Sequence, residues 1–383
     1  MITECPPLGL YIHIPWCVRK CPYCDFNSHR AETDLPERAY VAALLRDLDS
    51  ASAAVAGRPV DSIFIGGGTP SLFSAGSLTD LLDGVRARLP LAAEAEVTLE
   101  ANPGTAESGK FRGFRAAGVN RLSIGIQSFN DAHLQRLGRI HDRAEALRAV
   151  DMARAAGFER LNLDLMFGLP EQTEAEALAD LRTAIELAPE HLSYYQLTLE
   201  PNTVFHKYPP RLPGEEAIWA IQQAGQTLLA AHGFEQYEVS AYARPGAQCR
   251  HNLNYWRFGD YLGIGAGAHG KITDMHTGAI TRTARLRHPQ HYLEAAGDPV
   301  RQGSSAQVPD DERRFEFLMN ALRLRDGFEI GLFSARTGLP SSALEPECAA
   351  AIAEGLLLAE AGRLRCSPTG FHFLDTVLQR FLP

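Results

Sequence analysis

The chain has 383 residues, enough for one α/β barrel of about 250 residues plus an appendage, or for two or more ordinary domains. A net charge of −9 implies no broad basic surface, which argues against a dedicated nucleic-acid binder and leaves room for a local basic pocket. Hydrophobic content of 45% supports a globular core of normal size, and no run approaches the roughly 18 apolar residues of a membrane span.

The N-terminus, Met1-Ile-Thr-Glu-Cys-Pro-Pro, lacks the basic stretch and apolar core of a signal peptide, so a reducing cytoplasmic location is expected. The first expected strand, 10–14, leads directly into Cys17-Val-Arg-Lys-Cys21-Pro-Tyr-Cys24. Three thiolates from one tight loop can hold three irons of a [4Fe–4S] cube and leave the fourth iron open to a ligand that is not protein. A structural zinc is the other reading. It asks for four ligands, and here His29 is the nearest fourth candidate, with no second cysteine pair downstream. Cys5, Cys249, Cys348 and Cys366 are scattered singly, and the odd count of seven cysteines argues against a disulfide framework.

Beyond this loop the chain alternates. Helices expected at 36–55, 76–89, 105–117, 143–156, 174–187 and 215–232 separate strands expected at 62–65, 96–100, 121–126, 162–166, 191–197 and 236–240. Gly118 and Gly157 follow alanine-rich helix ends as C-caps, each shortly before a strand. Such alternation means parallel pairing with right-handed crossovers, and six or seven units make a full or partial barrel whose site lies at the C-terminal strand ends.

The polar groups cluster at those ends. Gly66-Gly-Gly-Thr69-Pro70 follows the second strand, Glu100 closes the third, Gln127 the fourth, Asp164 nears the end of the fifth, and Gln196 and Thr198 end the sixth. The glycines form either a plain turn or a place where backbone N–H groups approach a small amphoteric ligand; the G-x4-G-K-[ST] phosphate loop is absent. Buried carboxylates need partners. Glu100 suits a ribose hydroxyl or an ammonium, and Asp164 either does likewise or pairs with Arg139. Gly259 to Gly270 contains G-x-G-x-G without a clean strand–helix context or a ribose acid at the right offset, so no dinucleotide site is expected; its glycines let the backbone approach the barrel mouth, with Ala266, Ala268 or His269 near the ligand. Residues 299–308 are polar and expected to link to a C-terminal unit made of a helix from 309, a second helix, a hairpin around 365–370 and a final helix.

Tyr11-Ile-His-Ile-Pro-Trp-Cys-x3-Cys-x2-Cys, Gly66-Gly-Gly-Thr-Pro, Asn120-Arg-Leu-Ser-Ile-Gly-Ile-Gln-Ser-Phe and Asp164-x3-Gly-Leu-Pro together resemble the radical S-adenosylmethionine (SAM) superfamily, and within it the oxygen-independent coproporphyrinogen III oxidase group. The resemblance spans essentially the whole chain. It implies an α/β fold: a partial (β/α)6 TIM-type barrel over 1–240, a connecting α+β segment over 241–298, and a winged-helix-like α+β domain over 299–383. It implies a [4Fe–4S] cluster on Cys17, Cys21 and Cys24 with SAM on the open iron, where reduction yields methionine and a 5′-deoxyadenosyl radical. Tyr11 and Tyr23 would then lie beside SAM, Gly67, Gly68 and Thr69 would meet its amino acid end, and Glu100, Gln127, Arg139 and Asp164 would hold its ribose and methionine groups.

One departure narrows the group. The oxidases carry a further cysteine two residues past the third, and here that residue is Phe26. The chain also begins only sixteen residues before Cys17, whereas the oxidases have a longer N-terminal segment. Both features resemble HemW-type haem chaperones. The segment His251-Asn-Leu-Asn-Tyr-Trp256 matches that subgroup's HNxxYW signature, which implies haem binding with His251 as ligand, Tyr255 and Trp256 against the porphyrin, Arg250 on a propionate and Cys249 as a second ligand. The implied function is to bind haem and deliver it to haem-requiring proteins such as respiratory enzymes, with an electron donor for the cluster. Peripheral membrane association and a homodimer stay open. The alternative is a working radical enzyme, either coproporphyrinogen III dehydrogenase or one of another substrate, so enzyme status is undecided at this point.

Overall fold

The computed structural model describes the chain apart from residues 1, 3, 32–33, 56, 107, 296, 299–302 and 383. Six strands form in turn: β1 (Leu8–Ile14), β2 (Val60–Gly67), β3 (Leu91–Ala101), β4 (Arg121–Gln127), β5 (Arg160–Phe167) and β6 (His191–Gln196). Each pairs in parallel with its predecessor. They alternate with α1 (Glu37–Ser52), α2 (Ala75–Arg86), α3 (Ser108–Ala117), α4 (Arg143–Ala155), α5 (Glu174–Glu186) and α6 (Glu215–Ala231). Local chemistry sets the helix starts. Asp142 with Glu145, and Thr173 with Glu176, form complete capping boxes before α4 and α5. Gly118 and Gly157 both take positive φ just after helices, as a C-cap requires.

Side chains on a strand alternate between two faces. One face is apolar: Leu10, Ile12, Ile63, Ile65, Leu99, Leu122, Ile124, Leu163 and Leu192 join a core with Tyr40, Leu44, Leu81 and Leu181 of the helices. The other face carries Tyr11, His13, Ser62, Glu100, Ser123, Asp164 and Tyr195; Ser123 bonds Asp164 and Tyr195 bonds Gln127 across strands, while Tyr11 bonds His13 along β1. A polar interior is tolerable only when its groups find partners, and this one is built that way.

The fold class is as expected, α/β with a parallel barrel-type sheet, but its edges differ from the expectation. Residues 236–240 were expected to extend the parallel series. Instead β7 (Glu235–Glu238) turns back within two residues into β8 (Ala241–Ala243), which lies antiparallel against β6. A parallel strand needs a crossover of a dozen residues, and that short link cannot supply one. After α7 (Arg250–Trp256), β9 (Asp260–Ile264) joins the other side of the sheet in parallel beside β1, with Leu262 and Ile264 buried. Antiparallel strands β10 (His269–Thr273), β11 (Ile280–Arg285) and β12 (Gly303–Gln307) follow, so the described part of the polar stretch 299–308 is mostly an edge strand. The twelve-stranded sheet reads β12-β11-β10-β9-β1-β2-β3-β4-β5-β6-β8-β7.

The C-terminal residues pack α8 (Asp310–Ala321), α9 (Ile330–Thr337) and α10 (Glu347–Ala353) on a three-stranded antiparallel sheet of β13 (Phe328–Glu329), β14 (Leu357–Glu360) and β15 (Arg363–Cys366). Phe317 sits at their centre, its ring 4.9 Å from Phe328 and 5.3 Å from Phe333. The hairpin turn falls at Ala361-Gly362, both at positive φ, and not at 365–370. Ser367 there caps a short helix by accepting from the Gly370 N–H, with Pro368 in its first turn.

At the start of β9, Asp260 is fully buried and accepts from Lys271 Nζ (2.9 Å), Thr273 Oγ1 (2.8 Å), the Thr273 N–H (3.1 Å) and Arg58 (2.9 Å). Among the described residues no helix is long and apolar enough to cross a membrane.

Candidate functional site

The Cys17–Cys24 loop leaves the C-terminal end of β1 and is clamped on both sides. Trp16–Cys17 pairs in parallel with His29–Arg30, and the Lys20 ammonium donates to the carbonyls of Phe26 (3.0 Å) and Ser28 (3.4 Å). The turn closes through Cys24 N–H to Cys21 O at 3.1 Å. All three thiols are free and partly exposed. Burial nevertheless pushes the Cys17 and Cys24 thiols up, so thiolates there need a cationic partner.

Among the described residues, no three His, Cys, Asp or Glu side chains are grouped to hold a single metal ion. His29, the fourth ligand of the zinc reading, instead contacts Asn27 (3.3 Å) and meets His288 edge-on. The donor set fits a cube, where each thiolate takes its own iron, better than one ion that gathers four donors on a point. Arg139 adds to that fit. Its guanidinium donates to Cys21 Sγ (3.6 Å), while its buried Nε has no partner. That places a cation where an anionic cluster would lie.

The next strand ends supply the polar wall. Glu100 accepts from the Gly67 N–H at 3.0 Å. Burial first, then the Asp164 carboxylate, pushes Glu100 up to about 7. Asp164 accepts from Asn162 (2.8 Å) and Ser123 (3.3 Å). Arg139 does not pair with it directly; its second Nη reaches the Gly125 carbonyl at 2.7 Å. Gln127 sits at a bulge between β4 and β5 with a left-handed φ of 71°. That conformation costs about 1–3 kcal/mol and re-aims the side chain, whose oxygen accepts from Tyr195 (2.8 Å).

The glycine turn is shaped mainly by contact within the chain. A Cβ at Gly67 would lie 2.5 Å from the His13 ring, and one at Gly68 would lie 2.5 Å from the Trp16 carbonyl. The N–H groups of Gly67, Gly68 and Thr69 go to Glu100, Ile14 and Trp16. The Thr69 hydroxyl supports Cys17.

Glu100 gives a pH prediction. Its ordinary value is about 4.5, so between that and about 7 the folded chain holds more protons than the unfolded one. Stability is therefore expected to fall as pH rises through this window. Glu100→Gln should flatten that fall, raising the urea midpoint at pH 8 and leaving it nearly unchanged at pH 4. An equal fall with pH in the variant would count against this assignment.

A cavity of about 640 Å3 opens over this wall, reaching Tyr11, Gly67 and Glu100 at one side and Phe26, His269 and Arg287 at another. Tyr11 donates or accepts at His13 Nδ1 (2.9 Å), and Tyr23 packs on Phe205 at 6.3 Å between Cys21 and Cys24.

His251 lies elsewhere. It is 1% exposed on α7, with Nδ1 bonded to Ser62 Oγ (2.9 Å), Nε2 to Tyr255 OH (2.9 Å), and its ring stacked on Phe64. Burial holds its imidazole down at about 3. Cys249 is buried, Arg250 bonds the Glu94 carbonyl, and Trp256 stacks under Arg323 at 4.4 Å. This helix meets the N-terminal half of the barrel strands, through Ser62, Glu96 and Gly9, and closes the barrel floor. In this arrangement His251 presents no free nitrogen to a haem.

Other site residues carried no signal of their own in the sequence. Asn27 bridges the cysteine loop to the Ala266 and Arg287 carbonyls (2.9 and 2.8 Å), and His13 bonds the Asn27 carbonyl (2.8 Å). Tyr195, Ser123 and Asn162 position Gln127 and Asp164. Alternation on β1, β4, β5 and β6 put His13, Ser123, Asn162 and Tyr195 on the interior face, which was the available clue.

Residues 11–184 match the radical SAM superfamily model, and residues 308–373 match the HemN C-terminal domain. The chain is 53% identical over 381 residues to "Heme chaperone HemW" of Escherichia coli K12, covering all of both chains. It is 38% identical to the mitochondrial "Radical S-adenosyl methionine domain-containing protein 1" of Mus musculus, covering 98% of this chain and 87% of that one. In fold it resembles the solved coproporphyrinogen III oxidase HemN of Escherichia coli, with a TM-score of 0.83 at 22% identity over 98% of this chain and 90% of that one. With that full-length similarity added to the cysteine loop and the polar strand ends, the chain belongs to the HemW-type group of the radical SAM superfamily.

Proposed function

We propose that this chain is a cytoplasmic haem chaperone that binds haem and delivers it to haem-requiring proteins such as respiratory enzymes. The observation that carries this reading is Phe26. Its side chain is 59% exposed at the cavity rim, where the oxidase group has a further cysteine. An apolar lip suits a porphyrin face, whereas a thiol there would serve redox or radical chemistry. The similarity to proteins named haem chaperones supports the same reading.

In this reading Cys17, Cys21 and Cys24 hold a [4Fe–4S] cluster. When bound, the cluster supplies an open iron and one electron to SAM. The chain's own residues do the rest. Glu100 and Asp164 accept from hydroxyl or ammonium groups, Gln127 presents its amide, and Arg139 offsets negative charge at Cys21. Tyr11 and Tyr23 flank the ligand, and Gly67, Gly68 and Thr69 keep the turn tight beside it. The barrel (1–240) carries the cofactors, 241–298 closes the floor and forms the mouth, and 299–383 offers a docking unit for an electron donor or haem acceptor. The intact polar interior also favours SAM binding, so SAM cleavage accompanying haem transfer is the second reading.

The test is to reconstitute the full chain anaerobically and titrate it with haem. About one haem per chain is expected, with no conversion of coproporphyrinogen III when SAM and a reductant are supplied. Formation of protoporphyrinogen IX would sink the chaperone reading in favour of the dehydrogenase.

A further inference from the structure

We propose that haem sits at the mouth of the barrel with His269 as its iron ligand and Arg287 against a propionate. This rests on the haem-binding reading above and assigns the site within it. Haem iron takes an imidazole nitrogen whose lone pair is free. His13 and His269 line the mouth cavity. Both ring nitrogens of His13 are engaged, by Tyr11 and by the Asn27 carbonyl. His251, on the floor, is engaged likewise by Ser62 and Tyr255. His269 is exposed, and among the described residues no group hydrogen-bonds its ring. Directly across the ladder stands Ala284, too small to cover it.

The surroundings match the rest of the ligand. A porphyrin needs apolar and aromatic contact, and Phe26 lines the rim of this cavity, with Tyr261 and Tyr255 deeper toward the floor. The cavity holds about 640 Å3, with its Tyr11, Gly67 and Glu100 side left to SAM and its Phe26, His269 and Arg287 side to haem. Propionates need a cation that is not already neutralised. Arg282 is held by Glu316 and Tyr261, and Arg285 by Asp47. Arg287 lines the cavity and makes no ion pair with the described residues. Its backbone carbonyl is fixed by Asn27, which ties this rim to the cysteine loop.

The experiment is an absorbance titration of the anaerobically reconstituted full chain with haem, comparing wild type, His269→Ala and Arg287→Glu. We expect His269→Ala to weaken binding by at least about tenfold and to move the Soret band, with added imidazole restoring the wild-type spectrum. Arg287→Glu should weaken binding by about three- to tenfold and leave the band in place, because it changes charge and not ligation. If His269→Ala keeps both the wild-type affinity and the wild-type band, the assignment is overturned. If wild type itself takes up no haem, the haem reading fails instead, and the two failures are told apart in one data set.

Discussion

Cys21→Ala is expected to leave the reconstituted chain without its iron–sulfur chromophore, with iron falling from about four per chain toward zero. Two thiolates cannot hold a cube that is meant to keep one iron open. The variant also leaves the buried Arg139 guanidinium facing a methyl group where it now faces sulfur, so its charge loses the thiolate it would offset. The fold should survive, because the cysteine loop lies outside the apolar core and is tied down by backbone pairing and by Lys20. Iron and sulfide analysis beside far-ultraviolet circular dichroism checks both halves. Cys5→Ala, at an exposed single cysteine, serves as the unaffected comparison. Full iron in Cys21→Ala would contradict the ligand assignment.

The largest stability effect is expected at Asp260. Asp260→Ala removes one partner of a buried ion pair and strands Lys271, which is 2% exposed and lies over the Phe258 ring at 4.3 Å. Breaking such a pair costs about 3–5 kcal/mol, enough to threaten the fold at 37 °C. Replacing Lys271 by methionine in the same chain should recover much of the loss, because an apolar pair avoids the uncompensated charge.

The pH sign follows from the Asp260 carboxyl. Burial pushes it up, but Lys271 and Arg58 outweigh burial and hold it below its ordinary value. Its contribution is therefore complete above about pH 4 and is lost as pH falls through the lower folded value. Urea denaturation of the single and double variants at pH 7 measures the effect. A single-variant loss below about 1 kcal/mol would show that the network does not hold β9. The functional cost follows from position. β9 runs straight into residues 265–269, which form the mouth, so loosening it moves His269 and the Ala266 carbonyl that anchors Asn27.

The barrel was readable because its signal is local. Each of β1 to β6 alternates an apolar outer face with a polar inner one, and glycines such as Gly118 and Gly157 punctuate the helices. The edges were not readable for the same reason. β8 has three residues and β12 is polar, so neither carries a period. β9 hides in a glycine-rich stretch whose glycines serve close backbone packing. A Cβ at Gly263 would lie 1.9 Å from the His269 carbonyl.

The candidate site divides along the same line. Cysteine spacing and strand-end position named Cys17, Cys21, Cys24, Glu100 and Asp164 as candidates. Arg139 was named as a partner of Asp164 or a SAM contact, and its contact with Cys21 comes from tertiary structure that no spacing encodes. For His251 the motif gave an identity and not a location. A short helix closing the floor looks the same in sequence as one presenting a ligand, and only the bonds to Ser62 and Tyr255 separate them.

The central claim is delivery of haem. The most direct measurement is to load the reconstituted full chain with one haem, mix it with a haem-free respiratory enzyme, separate the two and follow where the Soret absorbance and the regained enzyme activity go. Haem is expected to move to the acceptor and restore its activity faster than free haem at the same concentration. Retention of haem on this chain, or restoration no faster than by free haem, would contradict it.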